Sequence, residues 1–195
     1  MGKSFIERVK RAVAENPGSS IDDPSLTPAG VMVLVFRKDA EYCVLLQKRS
    51  SRVDSHKGEI SFPGGKKDPE DETMLDTALR ETHEEMGIDP QDVEVFGSLD
   101  QTATTTGFCT NPFAGTFPYP YDFNPQEEEV AEVLEVPVSS LMDSANRRDE
   151  VRIANGDLYF APVFTHDGHI IFGATARILN RFIELLETSI LEEKP

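Results

Sequence analysis

The segment from Pro63-Gly64-Gly65 to Gly87-Ile88 constrains this chain more than any other. It leaves a short strand, GEISFPGG over 58–65, crosses a turn at Asp68-Pro69-Glu70-Asp71, and enters a helix expected over 71–86. Met74, Leu75, Ala78, Leu79 and Thr82 recur at helical spacing and predict its buried stripe, and Gly87 stands where a C-terminal cap belongs. Such a helix lays one side on a sheet. On another side Glu81, Glu84 and Glu85 stand at i, i+3 and i+4, so three carboxylates share a face. Like charges at that spacing cost an isolated helix about 0.2–0.5 kcal/mol per pair, and a face built only for solubility would intersperse lysine. A divalent cation removes the penalty, because Mg²⁺ takes hard oxygens from a few carboxylates and keeps positions for water and phosphate. The glycine pair lets backbone come close to a metal or phosphate, which makes the carbonyl of Gly64 or Gly65 a further candidate ligand. Arg80 has Glu84 at i+4, and alternatively Asp76, as partners.

The rest of the chain supplies what that helix packs on. Residues 3–15 read as an amphipathic helix ended by Asn16-Pro17-Gly18. AGVMVLVFRK (29–38) and EYCVLLQKR (41–49) read as a hairpin of two apolar strands. Strands are expected at 93–101, 104–117 and 127–138, then a short helix near 139–143. A second hairpin over 150–164 turns at Asn155-Gly156, and the chain closes in an amphipathic helix. With no internal repeat or linker, residues 1–195 are expected to form one α/β domain, a mixed sheet with helices on its outer faces.

Charge narrows the function. A net charge of −16 argues against nonspecific nucleic-acid binding. Yet residues 48–67 hold six basic side chains (Lys48, Arg49, Arg52, Lys57, Lys66 and Lys67) against two acidic ones, Asp54 and Glu59. That is either a solvated loop or a landing surface for phosphates, and the neighbouring acidic helix favours the second. No apolar run approaches the roughly 18 residues that span a bilayer. The N-terminal stretch alternates charged and apolar residues, unlike a secretory signal, and Met1-Gly2 with Ser4 only weakly resembles an acylation site, so no membrane association and a cytoplasmic location are expected. Cys43 and Cys109 lie in apolar strand contexts and read as buried thiols.

Gly65, Glu72, Arg80-Glu81, Glu84-Glu85, Gly87 and Ile88 resemble the Nudix box, Gly-x5-Glu-x7-Arg-Glu-U-x-Glu-Glu-x-Gly-U with U aliphatic. From Glu72 onward the spacing matches; Gly65 lies one residue further upstream, and Thr82 occupies an aliphatic position. VLLQKRSSRVDSHKGEISFPGGKKDPED is similar to the signature of the coenzyme A diphosphatase branch, whose box carries the same lengthening. TTGFCTNPFAG, EEEVAEVLEVPVSSL and IIFGATARIL look like that branch's later elements. Val53-Asp54 stands where the branch has Leu-Arg, and Phe172 where it has Trp.

The resemblance implies a Nudix-like α/β/α sandwich and metal-dependent hydrolysis of a diphosphate on a nucleoside, by water attack at phosphorus. Mg²⁺ or Mn²⁺ is the implied cofactor, held by Glu81, Glu84 and Glu85 with a carbonyl of Gly65. Arg80 is expected to orient a glutamate, with Glu72 pairing to it from the helix start. Glu129 is the expected general base, with Glu81 as its competitor. Lys48, Arg49, Arg52, His56, Lys57 and Lys66 are the expected contacts to a small-molecule nucleotide, CoA or a derivative; Glu59 would bind metal or brace its loop. ADP-ribose, a dinucleotide or a nucleoside triphosphate are the alternative substrates, and a noncatalytic nucleotide-binding module is the reading from another class. Similar enzymes also imply a homodimer.

Overall fold

The two long apolar runs form the framework. Thr27–Lys38 (β1) and Glu41–Arg49 (β2) make the expected hairpin, with Asp39 at a positive φ of 52° in its turn. The computed structural model describes residues 4–53, 56–154 and 157–191. Its helices are α1 (Phe5–Glu15), α2 (Met74–Met86), α3 (Val138–Met142) and α4 (Gly173–Leu191). Its further strands are β3 (Ile60–Ser61), β4 (Gly64–Lys66), β5 (Glu94–Ser98), β6 (Thr102–Ala103), β7 (Phe108–Thr116), β8 (Val130–Pro137), β9 (Arg147–Ala154), β10 (Asp157–His166) and β11 (His169–Ile171).

Side chains of a strand alternate between its two faces, and here both faces are covered. Val33, Val35, Val44 and Leu46 join Val9 and Val13 of α1 and Leu179 and Phe182 of α4 in one core. Met32, Leu34, Phe36 and Leu45 point the other way, into a second core with Ala78 and Met86 of α2. The sheet is mixed: β1 runs parallel to β7 and antiparallel to β2 and β4. This is the expected α/β/α layering. Gly30 in β1 permits it to close, since a Cβ there would lie 2.5 Å from the Met74 carbonyl oxygen at the start of α2.

The feature that positions the site is a splayed hairpin. β1 and β2 pair only over Val35–Lys38 and Glu41–Val44, then diverge. Residues 59–66 fill the opening: Ser61 pairs with Gln47 on one side, and Gly64 and Gly65 pair with Val31 and Gly30 on the other. The glycine pair therefore belongs to a strand of its own rather than closing the preceding one, which places its backbone directly beside α2.

Two details of α2 differ from expectation. It begins at Met74 rather than 71, because Thr73 and Asp76 form a reciprocal capping box. Its buried set is Thr77, Ala78, Thr82, Glu85 and Met86, while Met74, Leu75 and Leu79 are half-buried along the rim. Thr82 is tolerated at an aliphatic position because its hydroxyl donates to the Ala78 carbonyl at 2.7 Å. Gly87 caps the helix at φ 74°, as its place in the sequence indicates.

β9, β10 and β11 form a separate antiparallel sheet. Its hairpin is the expected one, although Asn155-Gly156 lies outside the described residues, as do Met1-Gly2 and Asp54. On its outward face Val151, Ile153, Leu158 and Phe160 are exposed. The expected strand over 104–117 starts only at Phe108, after a turn closed by Thr104 N–H on the Phe108 carbonyl. Both cysteines are buried and free. Among the described residues no helix is long and apolar enough to cross a membrane.

Candidate active site

Glu85 sits deepest. Its position on α2 turns it inward to 1% exposure, where the Gly64 N–H donates to its carboxylate at 2.8 Å and the Arg49 guanidinium lies 3.7 Å away. Burial disfavours the charged form and lifts its pKa to about 7, against the opposing pull of the Gly64 N–H and Arg49. Gln47, fully buried on β2, adjoins this carboxylate, close enough to favour its ionised form, yet its amide makes no hydrogen bond of good geometry. An orphaned amide beside a desolvated carboxylate marks a place built to hold another polar group.

Glu81, one turn earlier, lies against Gly65. A Cβ on Gly65 would sit 2.4 Å from the Glu81 Oε2, so only glycine lets this carboxylate reach the strand. Burial raises the Glu81 pKa, Arg80 counteracts it, and the charges of Glu84 and Glu129 raise it further. That repulsion places Glu129 within electrostatic reach of the helix. The connection is structural: the Asn124 and Gln126 N–H groups donate to the carbonyls of Met86 and Glu85, and the Ser50 N–H donates to the Glu129 carbonyl. The loop carrying Glu129 is thus pinned to both α2 and β2.

Arg80 organises the outer half. Its guanidinium donates to Asp71 at 3.0 Å from both Nε and Nη2, to Glu81 and Glu84 at 3.0 Å from Nη1, and to the Lys66 carbonyl at 3.1 Å. The i+4 partner Glu84 is as expected; Asp76 is engaged in the cap instead. The acid paired from before the helix is Asp71, not Glu72, which is exposed. The reason is the tight turn at 68–71, where Asp71 Oδ2 accepts from the Asp68 N–H and the Thr77 hydroxyl and so faces inward. Arg80 holds the Asp71 carboxyl well below the usual carboxylate range. A depressed pKa contributes stability that is complete above the ordinary value near pH 4 and is lost as pH falls through the folded value. Asp71→Asn should therefore destabilise by about 1–3 kcal/mol at neutral pH. Thermal melts of both proteins taken downward from neutral pH should converge in acid; a constant gap would refute the pairing as its source.

The donor set fits a divalent cation: hard carboxylate oxygens on Glu81 and Glu85, a glycine backbone beside them, and an unsatisfied amide. Among the described residues, however, no three His, Cys, Asp or Glu side chains stand together at metal-holding separations. Arg80 lies between Glu81 and Glu84, and Glu84 is half exposed.

A cavity of about 330 Å³ opens beside the glycine pair. Of the basic residues expected to meet substrate, Arg49, His56 and Lys66 line it. His56 is oriented by Glu59, 2.9 Å from its Nδ1, so Glu59 braces the loop. Lys48 projects from the opposite face of β2 to Arg49, and exposed Arg52 and Lys57 stand outside the lining. The structure adds Arg152, Tyr159, Phe172 and Arg177 from the C-terminal elements. Sequence spacing gave no signal for Arg152, Tyr159 and Arg177, which come from β9, β10 and α4 and meet Gly65 only in the fold, while Phe172, at the junction of β11 and α4, stood out only as a departure from the coenzyme A diphosphatase branch. Asp71 and Gln47 were also missed, one read as a turn former and the other hidden inside an apolar strand.

A family model described as NUDIX domain matches residues 26–155. An uncharacterised Nudix hydrolase, NudL, of Citrobacter koseri is 34% identical over 151 residues, covering 77% of this chain and 78% of the relative. The human mitochondrial coenzyme A diphosphatase NUDT8 is 38% identical over 162 residues, covering 81% of this chain and 69% of the relative. The crystal structure of a Nudix hydrolase from M. smegmatis shares the fold, with a TM-score of 0.56 at 20% identity over 83% of this chain and 86% of that one.

Proposed function

The chain belongs to the Nudix family and is a hydrolase of phosphorus anhydrides; from that premise we propose that its substrate is coenzyme A or a derivative, cut to 3′,5′-ADP and 4′-phosphopantetheine. The observation that carries this reading is the cavity, which joins the glycine pair beside Glu81 to a predominantly cationic wall in a chain of net charge −16. Four cationic side chains and one carboxylate line it. The likeness to NUDT8 supports the same substrate class.

Nudix hydrolases generally work with divalent metals, and here Glu81 and Glu85, with Glu84 and a Gly65 carbonyl completing the set, would hold Mg²⁺ or Mn²⁺. When bound, such an ion neutralises charge that develops on the phosphate oxygens. The chain's own groups do the rest. Glu129 takes the proton as water oxygen attacks one phosphorus; the bond from that phosphorus to the bridging oxygen breaks, and the second phosphate leaves with that oxygen. Arg80 holds Glu81 and Glu84 in place from the side, with Asp71 fixing its guanidinium. Arg49 and Lys66 meet diphosphate oxygens at the mouth of the cavity, and His56, held by Glu59, donates to the same group.

The test is a panel of CoA, acetyl-CoA, ADP-ribose, NADH and dGTP with Mg²⁺ or Mn²⁺, with the products resolved. CoA should show the highest kcat/KM and yield 3′,5′-ADP. A kcat/KM for CoA no greater than that for ADP-ribose would end the substrate assignment while leaving the family assignment intact.

A further inference from the structure

The wall of the cavity opposite the glycine pair is unbalanced in charge. Arg177 on α4 is half-buried and donates to the Ala103 carbonyl, and among the described residues no carboxylate pairs with it. Arg152 on β9 lies on the same wall, its guanidinium 5.9 Å from the centre of the Phe172 ring, and among the described residues its acid partner is Glu150, two residues earlier on the strand, at 3.2 Å. Burial disfavours the charge on Arg177, Tyr159 opposes that in part, and the charge of Arg152 adds a smaller unfavourable influence. Arg177 carries the cost of a partly desolvated guanidinium with no carboxylate to offset it among the described residues, and Arg152 shares a single carboxylate with Arg148, so the wall keeps a positive charge that an anion would neutralise. Tyr159 on β10 adds a phenol hydroxyl to this wall, and the first turn of α4 at Gly173–Thr175 adds backbone N–H groups that the helix itself leaves free.

The same cavity runs to Gly64 and Gly65, where the diphosphate is placed. We propose that Arg152 and Arg177, with Tyr159, form a second anion subsite for a phosphate monoester on the nucleotide half of the substrate, selecting ribose-phosphorylated diphosphates over those without that phosphate. The proposal deepens the reading of the site as a CoA-type diphosphatase and rests on it. A guanidinium presents a planar fork that matches phosphate oxygens two at a time, and a pair of them discriminates strongly against a hydroxyl in the same place. These arginines thus set specificity, while the chemistry stays at the glutamates.

The experiment measures equilibrium binding of 3′,5′-ADP and 5′-AMP by calorimetry, without turnover, to the wild-type chain, Arg177→Gln and Arg152→Gln. Wild type should bind 3′,5′-ADP at least about tenfold more tightly than 5′-AMP, the scale of one charge-assisted contact. That ratio should fall to within about twofold in each variant. Equal binding of the two nucleotides by wild type overturns the subsite, and so does a preference that survives in both variants. Inorganic phosphate should compete with 3′,5′-ADP far better than with 5′-AMP; equal competition would mean a general anion site and no selection. Turnover separates the two claims. Wild type that hydrolyses CoA and dephospho-CoA with the same kcat/KM overturns the subsite and leaves the substrate reading standing. If neither is hydrolysed while the 3′,5′-ADP preference holds, the substrate reading falls and the subsite stands.

Discussion

Glu85→Gln should lower the hydrolytic rate by about 10³ or more while leaving the melting temperature of the metal-free protein unchanged or raised. Loss of one ligand to a cation that stabilises transition-state charge is worth several kcal/mol, and about 4 kcal/mol is a factor near 10³. Stability moves the other way for a local reason. Glu85 is 1% exposed, and desolvation is the leading influence on its carboxyl. A neutral amide of the same shape costs less to bury and still accepts from the Gly64 N–H. The wild type should gain thermal stability on addition of Mg²⁺ and the variant should not, since a ligand that binds only the folded state stabilises it by mass action. Assays at saturating CoA with paired melts check both halves. A variant that keeps near-wild-type turnover removes Glu85 from the ligand set.

The second large effect separates geometry from charge. Gly65→Ala leaves every carboxylate in the sequence, but the added methyl would occupy space 2.4 Å from the Glu81 Oε2. What must yield is the far end of a flexible side chain, and Gly65 is not among the residues held at positive φ, so the fold tolerates the change. Alanine also restricts the unfolded chain, worth about 0.4–1 kcal/mol in favour of the variant. Displacement of Glu81 by about 1 Å should cost about 10² in kcat, because misplacement on that scale is severe for a preorganised site. Melting curves should overlay within a few degrees while activity falls. Unimpaired activity would show that the close approach of Glu81 to the strand has no part in the reaction.

What the sequence disclosed followed from periodicity. The β1–β2 hairpin, the acidic helix with its Gly87 cap, and the paired β9–β10 strands all write their spacing into residue order, and each forms, although α2 starts at Met74 rather than 71. The glutamate face was legible because helical spacing alone brings positions 81, 84 and 85 together. Less legible were features set by nonlocal packing. Insertion of 59–66 between diverging strands depends on where β1 and β2 part, and no residue announces it. Leu75 and Leu79 are only half-buried while Glu85 is fully buried, because α2 is rotated to bring its acidic face under the inserted strand; hydrophobicity counting points the other way. Asp71 displaces Glu72 as the partner of Arg80 through a turn whose side-chain hydrogen bonds fix its direction. Lys48 and Arg49 are neighbours in sequence, yet strand alternation sends them to opposite faces, so a basic run cannot be read as one surface. The arginines of β9 and α4 come from elements more than 80 residues beyond Gly65 and meet it only in three dimensions.

The most direct measurement is a titration with Mn²⁺ followed by electron paramagnetic resonance, comparing wild type with Glu85→Gln and Glu81→Gln. The free-ion signal should fall as wild type takes up the cation, and affinity should drop by at least about tenfold in each variant. Uptake by all three proteins with the same affinity, or by none at concentrations that support hydrolysis, would contradict a metal held by these glutamates.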